Sequence, residues 1–405
     1  MFSSFGNNRK RKYKRKKGSN NDNNKRCRRS ETPPPQKPPP YPPTSFGSLF
    51  EIILNPPHIP PLKNNGEEDD KTDDNDYFET DDKLYEIEMK IETLDDIIKL
   101  GESYDPESPK KYVINLKTLN RCVPALKELQ AMIGMKSIKQ SILELFFFHL
   151  QNFLAKENKI KMMHTIIEGP PGSGKTEVAK ILAKIYQGLR VVKNDKFIMA
   201  KRSDLIGAYI GHTEKQTQAI FNKAVGGVLF IDEAYSIGNS KERPDSFSKA
   251  CVDLINQNLT EMDVTVMLGG YKKQLKETFF SHNPGLMRRF PYRFSTDKYT
   301  PEDLKKIYEK MVGDDKWTLS DDDATKVKVC FFKKNYDYFP YSGGDMETLW
   351  SFTKIAHAKR VFGKDPKFRK VITQEDLDGA FKMFASNSEV KSRANKFDYI
   401  GHLYV

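Results

Sequence analysis

Short apolar runs and longer amphipathic segments alternate along the middle of the chain, beginning near residue 163. The predicted strands cover residues 163–168, 191–200, 228–231, 264–268 and 292–294. The predicted helices between them cover residues 177–186, 214–225 and 247–259. Short strands that alternate with longer helices are typical of a parallel sheet, so the pattern indicates an α/β core with five parallel strands.

A different pattern precedes this core. Apolar residues first alternate at Tyr85, Ile87, Met89 and Ile91, and then recur at helical spacing at Leu116, Leu119, Leu126 and Leu129. These positions predict a small N-terminal unit over residues 83–130. A strongly apolar helix is predicted over residues 136–153, and its apolar stripe is assigned to core packing.

After Tyr299 the pattern changes to helices alone. Their starts are marked by N-cap residues with acids in the following turn, at Thr300, Ser320 and Thr373. We therefore expect the α/β core to cover residues 131–298. An all-α lid over residues 299–385 and a C-terminal tail over residues 386–405 follow it.

The first 82 residues are biased in composition. A basic segment at residues 9–29 is followed by a proline-rich segment at 33–43 and an acidic one at 67–82. Such segments bury too little apolar surface to offset chain entropy, so residues 1–82 are predicted to be a disordered tail. The basic clusters fit a nuclear-import or nucleic-acid patch or a solubilising tail, and the proline run fits a partner-docking segment or a spacer.

The formal net charge of +12 is located almost entirely in this tail. Residues 1–30 hold twelve Lys and Arg against one acid, Asp22, which gives +11 there. The remainder is nearly neutral, so the overall charge does not support a folded body that binds nucleic acid.

Membrane and secretory classes are not expected. No run of about 18 apolar residues occurs, and the basic residues that start at Arg9 have no apolar stretch behind them. The four cysteines are far apart, which argues against zinc ligation and a disulfide scaffold. We expect reduced thiols and a cytoplasmic or nuclear location.

A phosphate-loop pattern stands between the first core strand and the first core helix. It consists of Gly169, Pro170, Pro171, Gly172, Ser173, Gly174, Lys175 and Thr176. Glycines let backbone N–H groups surround a phosphate, and the helix N-terminus adds its positive dipole. Lys175 would contact the phosphate oxygens of ATP, and Thr176 would ligate Mg²⁺.

Two carboxylates end the apolar strand at residues 228–231. Asp232 would hold Mg²⁺, and Glu233 would act as the base that polarises the attacking water. The carboxyl ends of parallel strands share one edge of the sheet, so both side chains are expected near the phosphate loop.

Residues 131–298 resemble the CbxX/CfqX branch of AAA+ ATPases, which includes the rubisco activase CbbX and stage V sporulation protein K. The resemblance covers roughly residues 116–384. It is carried by residues 132–135, the phosphate loop, residues 204–213, residues 226–235, residues 270–272 and residues 283–285.

The resemblance implies roles for further residues. Ile133 and Gly134 would lie against the adenine. Residues Tyr209, Ile210 and Gly211 would form a pore loop that grips a polypeptide substrate, unless Tyr209 packs in the subunit core. Arg289 would be the arginine finger that enters the neighbour's site, with Arg288 as the alternative.

The chain departs from the family in two places. Tyr271 stands where many AAA+ proteins have an asparagine that orients the attacking water. Residues 342–345 end in Asp345 where the family lid has an arginine that senses the γ-phosphate. Either Lys354 or Arg360 replaces that arginine, or the lid is coupled to ATP differently.

The sequence therefore predicts an enzyme that hydrolyses Mg-ATP in a homo-oligomeric, hexameric ring and remodels an unidentified protein client. Two alternatives stay open. One is a nucleic-acid-associated ATPase that uses residues 9–29, and the other is an ATP-binding scaffold without turnover. The biased tail resembles those of homologues encoded by large DNA viruses.

Overall fold

The computed structural model describes residues 84–151, 163–207, 209, 211–238, 246–281, 283, 285–387 and 390. The predicted N-terminal tail, with its basic and proline-rich segments, lies outside the described residues. Cys27, Ile210, the last residues of the helix predicted over 136–153 and most of the C-terminal tail lie outside them as well.

The chain enters the described region through two short strands and three helices. They are β1 (Leu84–Tyr85), α1 (Leu94–Glu102), β2 (Lys111–Tyr112), α2 (Leu116–Ala131) and α3 (Lys136–Leu150). Only the first residues of the predicted alternation form a strand, which pairs in parallel with β2. Helix α1 was not predicted, and its start is fixed by a capping box between Thr93 and Asp96.

The five predicted core strands form one parallel sheet. They are β3 (Thr165–Glu168), β4 (Phe197–Ala200), β5 (Val228–Ile231), β6 (Thr265–Gly270) and β7 (Tyr292–Ser295). Their order is β4-β5-β6-β3-β7, and every neighbouring pair is parallel. The predicted α/β class is confirmed, and β3, which precedes the phosphate loop, lies between β6 and β7.

The strand predicted over residues 191–200 is too long. Residues 191–196 form a loop, because most of its backbone N–H groups bond outside the sheet. The N–H of Val191 donates to Tyr186 O at 2.8 Å, and those of Lys193 and Asn194 donate to Gly226 O at 2.8 and 3.0 Å. The buried valines at the start of this loop imitate a strand in the sequence pattern.

Helices cover both faces of the sheet. They are α4 (Lys175–Gly188), α5 (Arg202–Leu205), α6 (His212–Ala224), α7 (Ser246–Glu261) and α8 (Lys272–Glu277). Successive strand residues enter different apolar clusters, as Ile166 and Ile167 do, because side chains alternate between the faces of a strand. Burial on both faces explains why these strands read as continuous apolar runs.

Helix α2 packs against α4, at the edge of the α/β core. Lys184 forms an ion pair with Glu128 at 2.6 Å. A Cβ placed on Gly188 would lie 2.5 Å from Cys122 Sγ, so the helices approach as closely as a glycine permits. The domain boundary near residue 130 remains a proposal.

Helices dominate after the sheet, but the prediction of helices alone missed two short strands that pair with each other. The helices are α9 (Pro301–Asp314), α10 (Val329–Lys334), α11 (Gly343–Val361) and α12 (Gln374–Ser386), with short strands β8 (Thr318–Leu319) and β9 (Val371–Ile372). Capping boxes at Thr300 and Thr373 confirm two of the predicted starts. The start predicted at Ser320 is wrong, because its N–H donates to Ile372 O as β8 leaves its pairing with β9.

Within the described ranges, no helix is long and apolar enough to cross a membrane.

Candidate nucleotide site

The phosphate loop connects β3 to α4 and is shaped by its glycines. Gly172 and Gly174 adopt φ values of 68° and 85°, which side chains other than glycine rarely adopt. A Cβ on Gly169 would lie 1.9 Å from Thr296 Oγ1. Thr296 in turn donates to Ser173 Oγ at 2.9 Å, so a residue that follows β7 braces the loop.

The first turn of α4 has the properties of an anion site. Its N-cap residue, Gly174, supplies no side-chain bond to the helix, so backbone N–H groups of the first turn remain available to a ligand. Lys175 Nζ donates to the carbonyls of Gly169 and Pro170 at 3.2 and 3.0 Å, which turns the ammonium into the loop. Burial lowers the pKa of Lys175, while Glu233 and Asp232 raise it.

The two carboxylates follow β5 at the same sheet edge. Asp232 Oδ1 accepts the N–H of Glu233 at 3.0 Å. Glu233 has φ 51°, a left-handed conformation that costs a non-glycine residue about 1–2 kcal/mol. Burial raises the pKa of Glu233, as the charge of Asp232 also does, and Lys175 opposes the shift. A carboxylate with a raised pKa beside a lysine suits a general base.

Tyr271 completes this edge of the sheet, after β6. Its ring stacks on Tyr235 with 5.0 Å between centroids, and Lys175 Nζ lies 5.1 Å from its centroid. Burial raises the pKa of its hydroxyl, with a further contribution from Glu233. The phenol therefore stays neutral and can donate a hydrogen bond near the Glu233 carboxylate.

Around Gly134 lies a small apolar wall. Gly134 has φ 68°, and a Cβ there would lie 3.1 Å from the ring of Tyr299. The Tyr299 hydroxyl donates to Ser173 O at 3.3 Å, and the methyl groups of Met132 and Met135 approach Gly174. Sequence patterns missed Thr296 and Tyr299, because their roles depend on where β7 ends and no local motif marks them.

Tyr209 lies away from this cluster. Its side chain is 70% exposed and contacts the ring of His212 with 5.6 Å between centroids. Tyr209 therefore does not pack in the subunit core. Gly211, two residues after Tyr209, has φ 78° and is the N-cap residue of α6.

The two candidate finger arginines end the short 3-10 helix Leu286–Arg289. Arg288 is exposed, whereas Arg289 is half-buried. Arg289 Nη1 donates to Asn256 O at 2.7 Å and to the hydroxyl of Thr260, both on α7. One corner of its guanidinium is thereby anchored to α7 of the same chain.

The lid charges bond within the lid. Asp345 Oδ2 accepts the N–H of Tyr341 at 2.7 Å. Lys354 pairs with Asp315 at 3.0 Å, and Arg360 pairs with the buried Asp376 at 2.7 Å. Lys354 and Arg360 lie roughly 16 and 26 Å along α11 from Gly343, by the helical rise per residue. Neither therefore replaces the family arginine at the phosphate loop.

The fold and this site define an ATPase of the AAA class, and comparison with known proteins agrees. Residues 165–279 match the family model described as the ATPase family associated with various cellular activities, AAA. The chain is 41% identical over 303 residues to a CfxQ-like protein of Acanthamoeba polyphaga mimivirus, with 74% of each chain covered.

Two further relatives are more distant. Stage V sporulation protein K of Bacillus subtilis is 33% identical over 208 residues, which is 50% of this chain and 64% of the relative. CbbX of Cereibacter sphaeroides is 28% identical over 285 residues, which is 66% and 90%. The chain belongs to the CfxQ/CbbX family of AAA ATPases, enzymes that hydrolyse ATP.

Proposed function

We propose that this chain binds Mg-ATP on the phosphate loop, hydrolyses it with Glu233, and works as a ring that remodels a protein partner. The observation that carries the proposal is the convergence of Lys175, Asp232, Glu233 and Tyr271. They come from the carboxyl ends of three neighbouring strands and influence one another's pKa values.

The residues divide the chemistry among them. Backbone N–H groups after Gly172 and the Lys175 ammonium would hold the phosphates of ATP. Ile133 and Gly134 would lie against its adenine. The Thr176 hydroxyl and the Asp232 carboxylate are oxygen donors of the kind that Mg²⁺ prefers, and the ion would neutralise phosphate charge. Glu233 would take the proton from a water that Tyr271 orients.

The hydrogen bonds of Arg289 are an argument for assembly into a ring. Its guanidinium offers five N–H donors, and only Nη1 has a partner in the part of the chain that the structure describes. Anchored at one corner, it is suited to present its remaining donors to the phosphates of a neighbouring subunit. Such a finger contributes about 10³- to 10⁵-fold in rate in other phosphoryl-transfer enzymes.

A protein client follows from the exposed Tyr209 and from the relatives. An aromatic side chain that is 70% exposed can grip an extended polypeptide without regard to its sequence. One relative in Cyanidioschyzon merolae is a ribulose bisphosphate carboxylase/oxygenase activase, whose name states a protein target. A hexameric assembly and a cytoplasmic or nuclear location belong to the same proposal.

The test is ATP hydrolysis per subunit, measured while the protein concentration is raised through the assembly range. We expect the wild-type rate to rise cooperatively, because each site needs a neighbour's Arg289. Glu233→Gln should bind ATP and assemble, yet lose about 10²- to 10⁴-fold in turnover.

Matched controls lie on the surface of the same core. Glu277→Gln alters an exposed carboxylate on α8 and should leave turnover unchanged. Lys175→Ala should abolish ATP binding, whereas Lys180→Ala, on the exposed side of α4, should not. Normal hydrolysis by Glu233→Gln would place the base elsewhere, and wild-type ATP binding by Lys175→Ala would refute the loop assignment.

A further inference from the structure

A backbone hydrogen bond joins the lid to the phosphate loop. The N–H of Gly343, the first residue of α11, donates to Gly172 O at 3.1 Å. A Cβ on Gly343 would lie 2.7 Å from Gly172 O, and one on Gly172 would lie 2.1 Å from Tyr341 O. The approach therefore requires glycine on both sides.

This contact fixes the direction of one peptide group. Gly172 O and the N–H of Ser173 belong to the same trans peptide, so they point in opposite directions. With the carbonyl directed at the lid, the Ser173 N–H points toward Pro170 O, at a long 3.4 Å. Lys175 Nζ donates to the same Pro170 oxygen, so both donors face the inside of the loop.

Asp345 holds the turn that makes the contact. It is the third residue of α11 and is only 4% exposed. Its carboxylate accepts the N–H of Tyr341, at the other end of the turn. A carboxylate is also favoured at a helix N-terminus by the helix dipole. Asp345, the acid that stands in place of the family arginine, therefore bonds the backbone of its own turn.

We propose that the turn at residues 341–345 is the lid's nucleotide sensor, and that it acts on the loop peptide instead of on the phosphate. The N–H of Gly343 orients the Gly172–Ser173 peptide so that Ser173 donates to a phosphate of the bound nucleoside triphosphate. Gly343 and Asp345 are positioning residues. This inference rests on the proposed binding of ATP at the phosphate loop.

Two physical effects couple the lid to the ligand. A hydrogen bond to a carbonyl polarises its peptide and strengthens the N–H on the other side as a donor. Coupling is reciprocal, so a nucleotide phosphate that accepts the Ser173 N–H strengthens the lid contact by the same factor. ATP would thus favour the contact between the lid and the loop, through backbone groups and without a lid side chain on the phosphate.

Two neighbouring glycines offer a matched test. A Cβ on Gly343 would meet the loop carbonyl, whereas a Cβ on Gly344 would have open space within 4 Å. Both substitutions to Ala add the same atoms to the first turn of α11. We expect Gly343→Ala to weaken the affinity for a fluorescent ATP analogue about three- to tenfold, the effect of one hydrogen bond. Gly344→Ala should stay within about twofold of the wild type.

Asp345 supplies a second pair. Asp345→Asn keeps an oxygen for Tyr341 N–H and should stay near the wild-type affinity, whereas Asp345→Ala should behave as Gly343→Ala does. Hydrogen–deuterium exchange of the peptide that covers residues 340–346 should slow when the analogue binds. Melting temperatures identify any variant that fails to fold. If an Asp345 variant does not fold, the comparison of Gly343→Ala with Gly344→Ala decides the proposal.

The outcomes separate the two proposals. Equal analogue affinities for Gly343→Ala and Gly344→Ala would overturn the lid sensor while leaving the ATP site intact. Failure of the wild-type chain to bind the analogue would overturn the site and the sensor together. Two results together would support the lid sensor. Gly343→Ala would lose analogue affinity while Gly344→Ala keeps it, and Asp345→Asn would keep the affinity that Asp345→Ala loses.

Discussion

The nucleotide-binding core and the lid use their polar residues in opposite ways. In the core, Lys175, Glu233 and Tyr271 gather at one sheet edge beside the phosphate loop. In the lid, Lys354 and Arg360 are paired with acids of the same domain. The core therefore brings side chains from several strands together at one edge, where we propose that ATP binds, whereas the lid pairs its charges with one another.

The Asp376 cluster shows how the lid does so. Burial would raise the pKa of Asp376, but bonds from Arg360, the N–H of Thr373 and His357 lower it. His357 Nδ1 lies 3.1 Å from the carboxylate. A buried carboxylate with several donors is committed to structure, so it is unavailable to a ligand.

The largest expected effect tests whether the core is completed by a second subunit. Arg289→Ala should lower kcat by about 10³-fold or more, because the transition-state charge loses its guanidinium. Arg288→Ala changes the exposed neighbour and should cost much less. Steady-state ATPase assays of both variants, with ring assembly checked by sizing, decide the assignment. The reverse order of effects would make Arg288 the finger.

The next prediction tests the separation of lid charges from the site. Arg360→Ala should destabilise the lid by about 3–5 kcal/mol, because it leaves a buried carboxylate without its cation. Lys354→Ala, on the same helix, removes an exposed pair worth about 1 kcal/mol or less. Denaturant titration measures both. A strong loss of ATP affinity in a folded Lys354→Ala chain would show that this lysine does sense the nucleotide.

A smaller effect distinguishes the acid stability of the two regions. His164 is buried in the core, where its Nε2 bonds Leu259 O and its Nδ1 accepts the N–H of Val266. Burial lowers its pKa to about 4 from 6.5. The unfolded chain binds the proton more readily, so stability should fall by up to about 3 kcal/mol as the pH drops from 6.5 toward 4.

Unfolding curves at several pH values check this slope. His164→Gln should flatten it, whatever its own cost at neutral pH. The lid should resist the same acidification, because the contribution of Asp376, whose pKa is lowered, is lost only below the ordinary range of an aspartate. An unchanged slope in His164→Gln would contradict the assignment.

The smallest effect concerns how turnover depends on pH through Glu233, the proposed general base. Glu233 must be ionised to accept a proton, and its pKa is raised by burial. The acidic limb of kcat/KM should therefore lie above 4.5, the ordinary pKa of a glutamate. A pH profile of ATP turnover checks this, with melting curves at each pH to confirm folding. A limb at or below the ordinary value would argue against Glu233 as the base.

Much of the core was predictable from the sequence, because its signals are local. Apolar runs located the five strands, and the glycine-rich loop with its lysine marked the proposed phosphate site. Asp232 and Glu233 could be placed beside that loop because parallel strands end at one edge. Of the strand predicted over residues 191–200, the part that failed is 191–196, because buried valines in a loop look the same as valines in a strand.

Tertiary structure decided what depends on distant parts of the chain meeting. The sequence could not show that Thr296 braces Ser173, that α7 anchors Arg289, or that Gly343 reaches Gly172. These contacts join residues that are 123, 33 and 171 positions apart, the last being the difference of 343 and 172. Local propensity carries no information about such pairs, since they form only when the sheet and the lid helices pack. The meaning of Asp345 was likewise undecided until its carboxylate was found on Tyr341 N–H, because an acid's role depends on which donor it faces.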